Sequence, residues 1–150
     1  MKFKNGPELR KYLIERFGLT LPQGVQLTKT KGHGIRVHIK GLRTDRVFGL
    51  RGFMAYSNKS GLNFCFMQLF GHLARKNVIA LKESEARRYA SGEQIKKSLD
   101  IGKGLIILVH KGHVLGHGAY DGKGSISCPL REKRRRSINN SIMPWPGRNI

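Results

Sequence analysis

Three histidines fall within eight residues of this chain, in "HKGHVLGH" (His110, His113 and His117). In one extended strand His113 and His117 point to the same face, because strand side chains alternate. Two imidazoles on one face are the start of a metal site. No nearby cysteine or carboxylate completes a zinc set, so a metal is not expected. The plainer reading is three rings that stack or hydrogen-bond against the wall of a fold or a bound polymer. Cys65 and Cys128 are the candidate nucleophiles, with a histidine as base. Nothing in their spacing places either beside a histidine. "GHGAYDG" (Gly116 to Gly122) comes close to Gly-x-Gly-x-x-Gly. That motif cradles phosphate only where it opens a helix after a strand, and here a hairpin follows. The nine acidic residues lie mostly in helix first turns or in loop turns, where capping accounts for them. No catalytic constellation emerges, and the expectation is a non-enzyme with no cofactor and no metal.

Charge is the stronger signal. There are 29 Lys and Arg against nine Asp and Glu, a net charge of +20, and the pI is about 10.8. That balance is the footprint of a nucleic-acid binder, because so large a surplus repels itself without a polyanion. A generally basic surface or a patch for anionic lipid are the alternatives. Charge does not separate DNA from RNA, since phosphate attraction carries no base or sugar information. The densest run is Arg131, Lys133, Arg134, Arg135 and Arg136, directly after an expected strand. It reads as a phosphate clamp anchored on a folded edge, or as a solvated tail. Gly112, Gly116 and Gly118 lack side chains and offer close backbone approach to a ligand, or simply serve turns and bends.

The elements that must position these groups follow from patterning. Gly6-Pro7 opens a helix, Leu9, Tyr12, Leu13 and Phe17 form its apolar stripe, and Gly18 stops it. Val25 and Leu27 begin a strand, and Lys31 to Gly34 turn. Ile35, Val37 and Ile39 then alternate with Arg36, His38 and Lys40, a half-buried strand with a basic outer face. Val47 to Tyr56 reads as further strand, and Asn58 to Gly61 as a loop. A helix is expected from Phe64 to Lys76 with Phe66, Leu69, Phe70 and Leu73 on one face, Gly71 marking close packing and Asn77 ending it. Val78 to Leu81 is a short strand, and a domain boundary is expected near Leu81-Lys82. "KESEARRYASGEQI" is a helix with acids in its first turn, bases in its last and Ser91-Gly92 as its stop. Leu105 to Val109, His113 to Tyr120 and Lys123 to Cys128 read as strands joined at Lys111-Gly112 and Asp121-Gly122, and suggest a small barrel. The two cysteines form no disulfide framework and no zinc ribbon. The opening residues lack the apolar run of a signal peptide, and no stretch approaches the roughly 20 apolar residues of a membrane span. A soluble, cytoplasmic protein with no membrane partner is expected.

From Leu81 to about Arg136 the chain resembles the PUA domain, named for pseudouridine synthases and archaeosine transglycosylases. The resemblance is carried by "SEARRYASGEQI", "KGLIILVHKG" and "VLGHGAYDGKGSI", and by "CPLREKRRR" where the family often has Leu-Pro-Lys before basic residues. The order here, Pro129-Leu130-Arg131, departs from that motif. "LRKYLIERFGL" and "NFCFMQLFGHLARKNVIAL" resemble the pre-PUA region of a ribosome-biogenesis family of eukaryotes and archaea. They are similar also to the accessory part of some Sun-type cytosine-C5 RNA methyltransferases. The resemblance implies an α+β protein. Residues 1–81 would be a pre-PUA-like α/β domain with a mixed or antiparallel sheet, residues 82–136 a PUA-like β pseudo-barrel, and residues 137–150 an extension. It implies a non-catalytic binder of structured rRNA or tRNA, nucleolar in a eukaryotic cell. A ribosome-assembly factor is one expected partner; the alternative function is an RNA-targeting or adaptor subunit for a separate RNA-modifying enzyme such as a cytosine-C5 methyltransferase, which would dock on an apolar surface around Phe53, Met54 and Tyr56. Carried over by position, the RNA contacts are Arg87, Lys96, Lys97, Lys103, Gly104, His113, Gly116 and the Arg131, Lys133, Arg134, Arg135 and Arg136 run. Two small domains leave no room for a methyltransferase core, so Cys128 is not read as its nucleophile.

Overall fold

A computed structural model describes residues 1–32, 34–39 and 52–129. The protein is α+β, and its contacts divide it into two compact units between Lys76 and Asn77. The division precedes Leu81-Lys82 because Val78 to Ala80 pairs with Ile107 to Val109.

The first unit opens with helix α1 (Gly6–Phe17). Asn5 Oδ1 accepts the Glu8 N–H at 2.9 Å, and the Glu8 carboxylate accepts the Lys4 N–H at 2.7 Å. The first bond satisfies a donor that a helix start leaves open, and the second ties the residue before the cap to the first turn. Gly18 ends α1 in the left-handed region (φ 57°), returning its N–H to the Ile14 carbonyl. Leu9, Leu13 and Phe17 are buried, and Tyr12 is half-buried. Four antiparallel strands follow in the order β1-β2-β3-β4: β1 (Val25–Lys29), β2 (Gly34–Ile39), β3 (Phe53–Ser57) and β4 (Gly61–Leu62). In β2, Ile35 and Val37 are buried and Arg36 and His38 lie on the opposite, partly exposed face, as the alternation requires. Ile39, at the strand end, is 42% exposed and does not join the core. The expected strand stretch from Val47 to Arg51 lies outside the described residues. The Arg10 guanidinium donates to the Val25 carbonyl at 2.7 Å and ties α1 to β1.

Helix α2 (Phe64–Phe70) is capped by Asn63 Oδ1, which accepts the Phe66 N–H. It is shorter than its apolar pattern suggests. One 3₁₀ turn, Gly71–Leu73, ends it, and the N–H groups of Arg75 and Lys76 instead donate to the Phe17 carbonyl at the end of α1 (2.8 and 2.9 Å). An open carbonyl on one helix thus claims the donors that would have extended another. Its buried face is Phe66, Met67 and Phe70, whereas Leu69 is 51% exposed. Gly71 is buried, as expected for close packing, but Asn77 ends no helix. It has a positive φ (54°) and leads into a strand.

The second unit is a mixed five-stranded sheet with the order β5-β7-β8-β9-β6. It comprises β5 (Val78–Ala80), helix α3 (Glu83–Ser91), β6 (Ile95–Lys96), β7 (Gly104–His110), β8 (His113–Tyr120) and β9 (Ser125–Ser127). The β5–β7 pair is parallel, with α3 and β6 in the crossover, and the other pairs are antiparallel. Ile106, Ile107 and Leu108 are all buried, so both faces of β7 are covered. Tyr89 of α3 is buried, and its hydroxyl donates to the His117 carbonyl at 2.8 Å. Lys111 (φ 48°) and Gly112 (φ 77°) form the two-residue β7–β8 turn, whose left-handed residues match the strand twist. Among the described residues the sheet is open, with β5 and β6 at its edges. It curls far enough that Lys97, next to β6, reaches the Ala80 carbonyl of β5 (3.4 Å) and the Glu85 carboxylate (3.0 Å).

Candidate nucleic-acid interface

The end of the second sheet is built around one turn. Asp121 Oδ1 accepts the N–H groups of Lys123 (2.7 Å) and Ser125 (3.0 Å), and the Asp121 N–H donates to the Ser125 carbonyl. Those backbone bonds, with the Lys96 charge adding to them, hold the Asp121 carboxyl below its ordinary range. Gly122 (φ 80°) lies against Lys103, where an added Cβ would stand 3.3 Å from the Lys103 Cβ. Lys103 leads into Gly104, whose partner across β7–β8 is Tyr120. Lys96 pairs with Ser125 in the β6–β9 ladder. The Tyr120 hydroxyl accepts the Leu99 N–H at 3.1 Å and so fixes the segment between β6 and β7. Lys96, Lys103 and Lys123 are therefore exposed and gathered at one turn. None of the three is among the ion pairs of the described residues. The acid between them already accepts two N–H bonds.

The expected contact residues divide between this end and the other. Lys96, Lys103 and Gly104 belong to the Asp121 turn. His113 pairs with His110 at the opposite end of the hairpin, next to Lys111. Six residue steps along β7 separate the two ends, about 20 Å at strand rise. At that far end positive charge is met by Glu83, whose carboxyl is lowered by its hydrogen bond to Arg87 and then by the nearby Arg87, Lys111 and His110 charges. Arg87 pairs with Glu83 at 2.7 Å. Lys97 is held by Glu85, and its side chain is 26% exposed. Burial pushes the Glu85 carboxyl up, but the Lys82 N–H and Lys97 outweigh it, and the carboxyl stays below its ordinary value. Gly116 is buried, with φ 152°. Gly118 is buried too, and an added Cβ would meet Ile126 at 2.9 Å and Leu108 at 3.1 Å, so its small size serves packing. Arg131, Lys133, Arg134, Arg135 and Arg136 lie outside the described residues, as do residues 137–150.

The histidine pair is a correction. His113 is exposed, but His117 is buried at 5%. The register shifts between Leu108, opposite Gly116, and Val109, opposite Val114, leaving Leu115 as an extra residue in β8. A bulge reverses the alternation beyond it, so His113 and His117 face opposite sides. His117 Nδ1 is buried without a partner among the described residues, and burial alone pushes its pKa down to about 4. His110 Nδ1 bonds the Leu81 carbonyl at 2.9 Å. Among the described residues no group of three or more His, Cys, Asp or Glu could hold a metal ion. Cys65 belongs to the first unit and Cys128 to the second, each half-buried. Of the expected partner surface, Phe53 is 37% exposed, Met54 is half-buried and Tyr56 is in the core at 1%. Lys123 was missed, though "DGKG" carried its signal: the turn that Asp121-Gly122 forms must expose the residue after it. Among the described residues no helix is long and apolar enough to cross a membrane. No family model matches the chain, and no curated protein matches it.

Proposed function

We propose that the protein is a non-catalytic RNA-binding protein whose second unit is a PUA-like pseudo-barrel, acting in rRNA maturation or in tRNA or rRNA modification. One observation carries the reading: three exposed lysines, Lys96, Lys103 and Lys123, surround a turn locked by Asp121, in a chain of net charge +20. Ammonium groups on a fixed turn suit the phosphates of a folded strand. Contacts of that kind favour shape over base identity, as in recognition of RNA duplexes and stem–loops. Glycine at 104 and 122 keeps side-chain bulk away from the same surface.

Ultraviolet crosslinking in cells, with sequencing of the attached RNA and mapping of the crosslinked peptides, tests this proposal. Recovery of rRNA or tRNA attached to peptides spanning 96–104 and 119–124 is the expected result. Absence of crosslinked RNA, or crosslinks that avoid both peptides, would refute it.

A further inference from the structure

The first unit has a cavity of about 340 Å³ lined by Lys2, Phe3, Lys4, Lys29, Gly34 and Asn58. Its position follows from the sheet register. Lys29 ends β1 opposite Ile35, and Gly34 starts β2 opposite Ser57, the neighbour of Asn58, so three strand ends meet there. The N-terminal segment is laid across this end by its third residue. The Phe3 ring packs against Tyr12 (centroids 5.1 Å apart) and edge-on to Tyr56 (4.9 Å), which brings the flanking Lys2 and Lys4 to the cavity. Asn58 Oδ1 lies 2.8 Å from the Tyr56 hydroxyl, leaving the amide nitrogen to donate elsewhere.

Among the described residues the polar side chains of this lining are three lysines and Asn58, whose amide oxygen already accepts the Tyr56 hydroxyl. Among the described residues no carboxylate lines the cavity, and the nearby acid, Glu8, accepts the Lys4 N–H. Lys2, Lys4 and Lys29 are in no ion pair of the described residues. Such a donor set repels metal cations and suits a compact anion with several acceptor oxygens. Lysine supplies point charge to phosphate in this way, and a concave wall supplies the enclosure that an exposed face lacks. We propose that this cavity binds a phosphate group, either a free or terminal phosphate or an internal phosphodiester of a nucleic acid. The inference stands on the first unit alone and does not rest on RNA binding by the second.

Backbone amide shifts of the full, ¹⁵N-labelled chain test it. The probes are inorganic phosphate, a short oligoribonucleotide with a 5′-phosphate and the same oligonucleotide with a 5′-hydroxyl, with sodium chloride at matched ionic strength as control. The expected result is saturable movement of the Lys4, Lys29, Gly34 and Asn58 amides with a phosphate-bearing probe, weakened about tenfold in Lys29→Gln. Response to phosphate and the 5′-phosphorylated strand alone identifies a terminal phosphate, and equal response to both strands identifies the phosphodiester. No saturable movement with any probe, the same movement with chloride, or unchanged affinity in a folded Lys4→Gln/Lys29→Gln variant would overturn the proposal. Amides around Lys96, Lys103 and Lys123 report the second unit separately, so either surface can fail without the other.

Discussion

The two units present lysines by different means. In the first, Lys2 and Lys4 flank an aromatic side chain, Phe3, seated between Tyr12 and Tyr56, and hydrogen bonds to the Glu8 carboxylate and from the Tyr56 hydroxyl hold the same segment. In the second, Lys96, Lys103 and Lys123 depend on backbone bonds: the β6–β9 ladder, the Gly104–Tyr120 pairing and the Asp121 turn. Side-chain packing places a charge at the end of a chain segment, whereas a ladder fixes it in register with its neighbours. In the second arrangement several backbone hydrogen bonds hold the Cα positions from which the lysines extend. The difference also separates cations that hold the fold from cations left over. Lys97 and Arg87 are ion-paired with Glu85 and Glu83, whereas the lysines of the turn are in no ion pair of the described residues and only Lys96 acts on the Asp121 carboxyl from a distance.

The largest effect expected from breaking this contrast is acid loss of the second unit. His117 is the only buried polar side chain among the described residues, and its pKa is lowered to about 4. The unfolded chain takes up this proton near pH 6.5, so the stabilisation is complete above that value and is lost as pH falls toward 4. At about 1.4 kcal/mol per unit, the loss comes to roughly 3 kcal/mol. Hydrogen exchange across that window should show β7 and β8 opening ahead of α1, and His117→Leu should remove most of the dependence. An unchanged acid profile in that variant would show that His117 is not the cause.

A smaller effect is expected at the turn. Asp121→Ala leaves the Lys123 and Ser125 N–H groups without their acceptor. Because the turn is exposed, water replaces the carboxylate, and the urea midpoint should fall only slightly. RNA affinity should fall despite the removal of a negative charge, because the lysines lose their fixed spacing. A rise in affinity would mean that charge alone matters and the turn geometry does not.

Elements with strong local signals were legible from the residues. Pro7 and Gly18 bracket α1, Gly92 closes α3, and Lys111-Gly112 and Asp121-Gly122 mark the hairpins where they occur. What escaped was set by partners distant in the chain. The strand β6 has two residues and exists only because β9 pairs with it. The end of α2 was decided by the Phe17 carbonyl, far from its own apolar pattern. One extra residue at Leu115 inverted the faces of His113 and His117, and no residue type announced it. Of the candidate site, Lys96, Lys103 and Gly104 do meet at one turn. The Glu85–Lys97 pair could not be read from charge pattern alone, since twelve positions separate the two.

The central claim is that fixed lysines at one turn grip phosphates, and the salt dependence of RNA binding tests it most directly. Each phosphate contact contributes about 0.7 to 0.9 to the slope of log affinity against log salt. The Lys96→Gln/Lys103→Gln/Lys123→Gln variant, measured by fluorescence anisotropy on a structured RNA, should bind more weakly. Its slope should be shallower by about 2 to 3. The same slope and affinity in variant and parent would contradict the account.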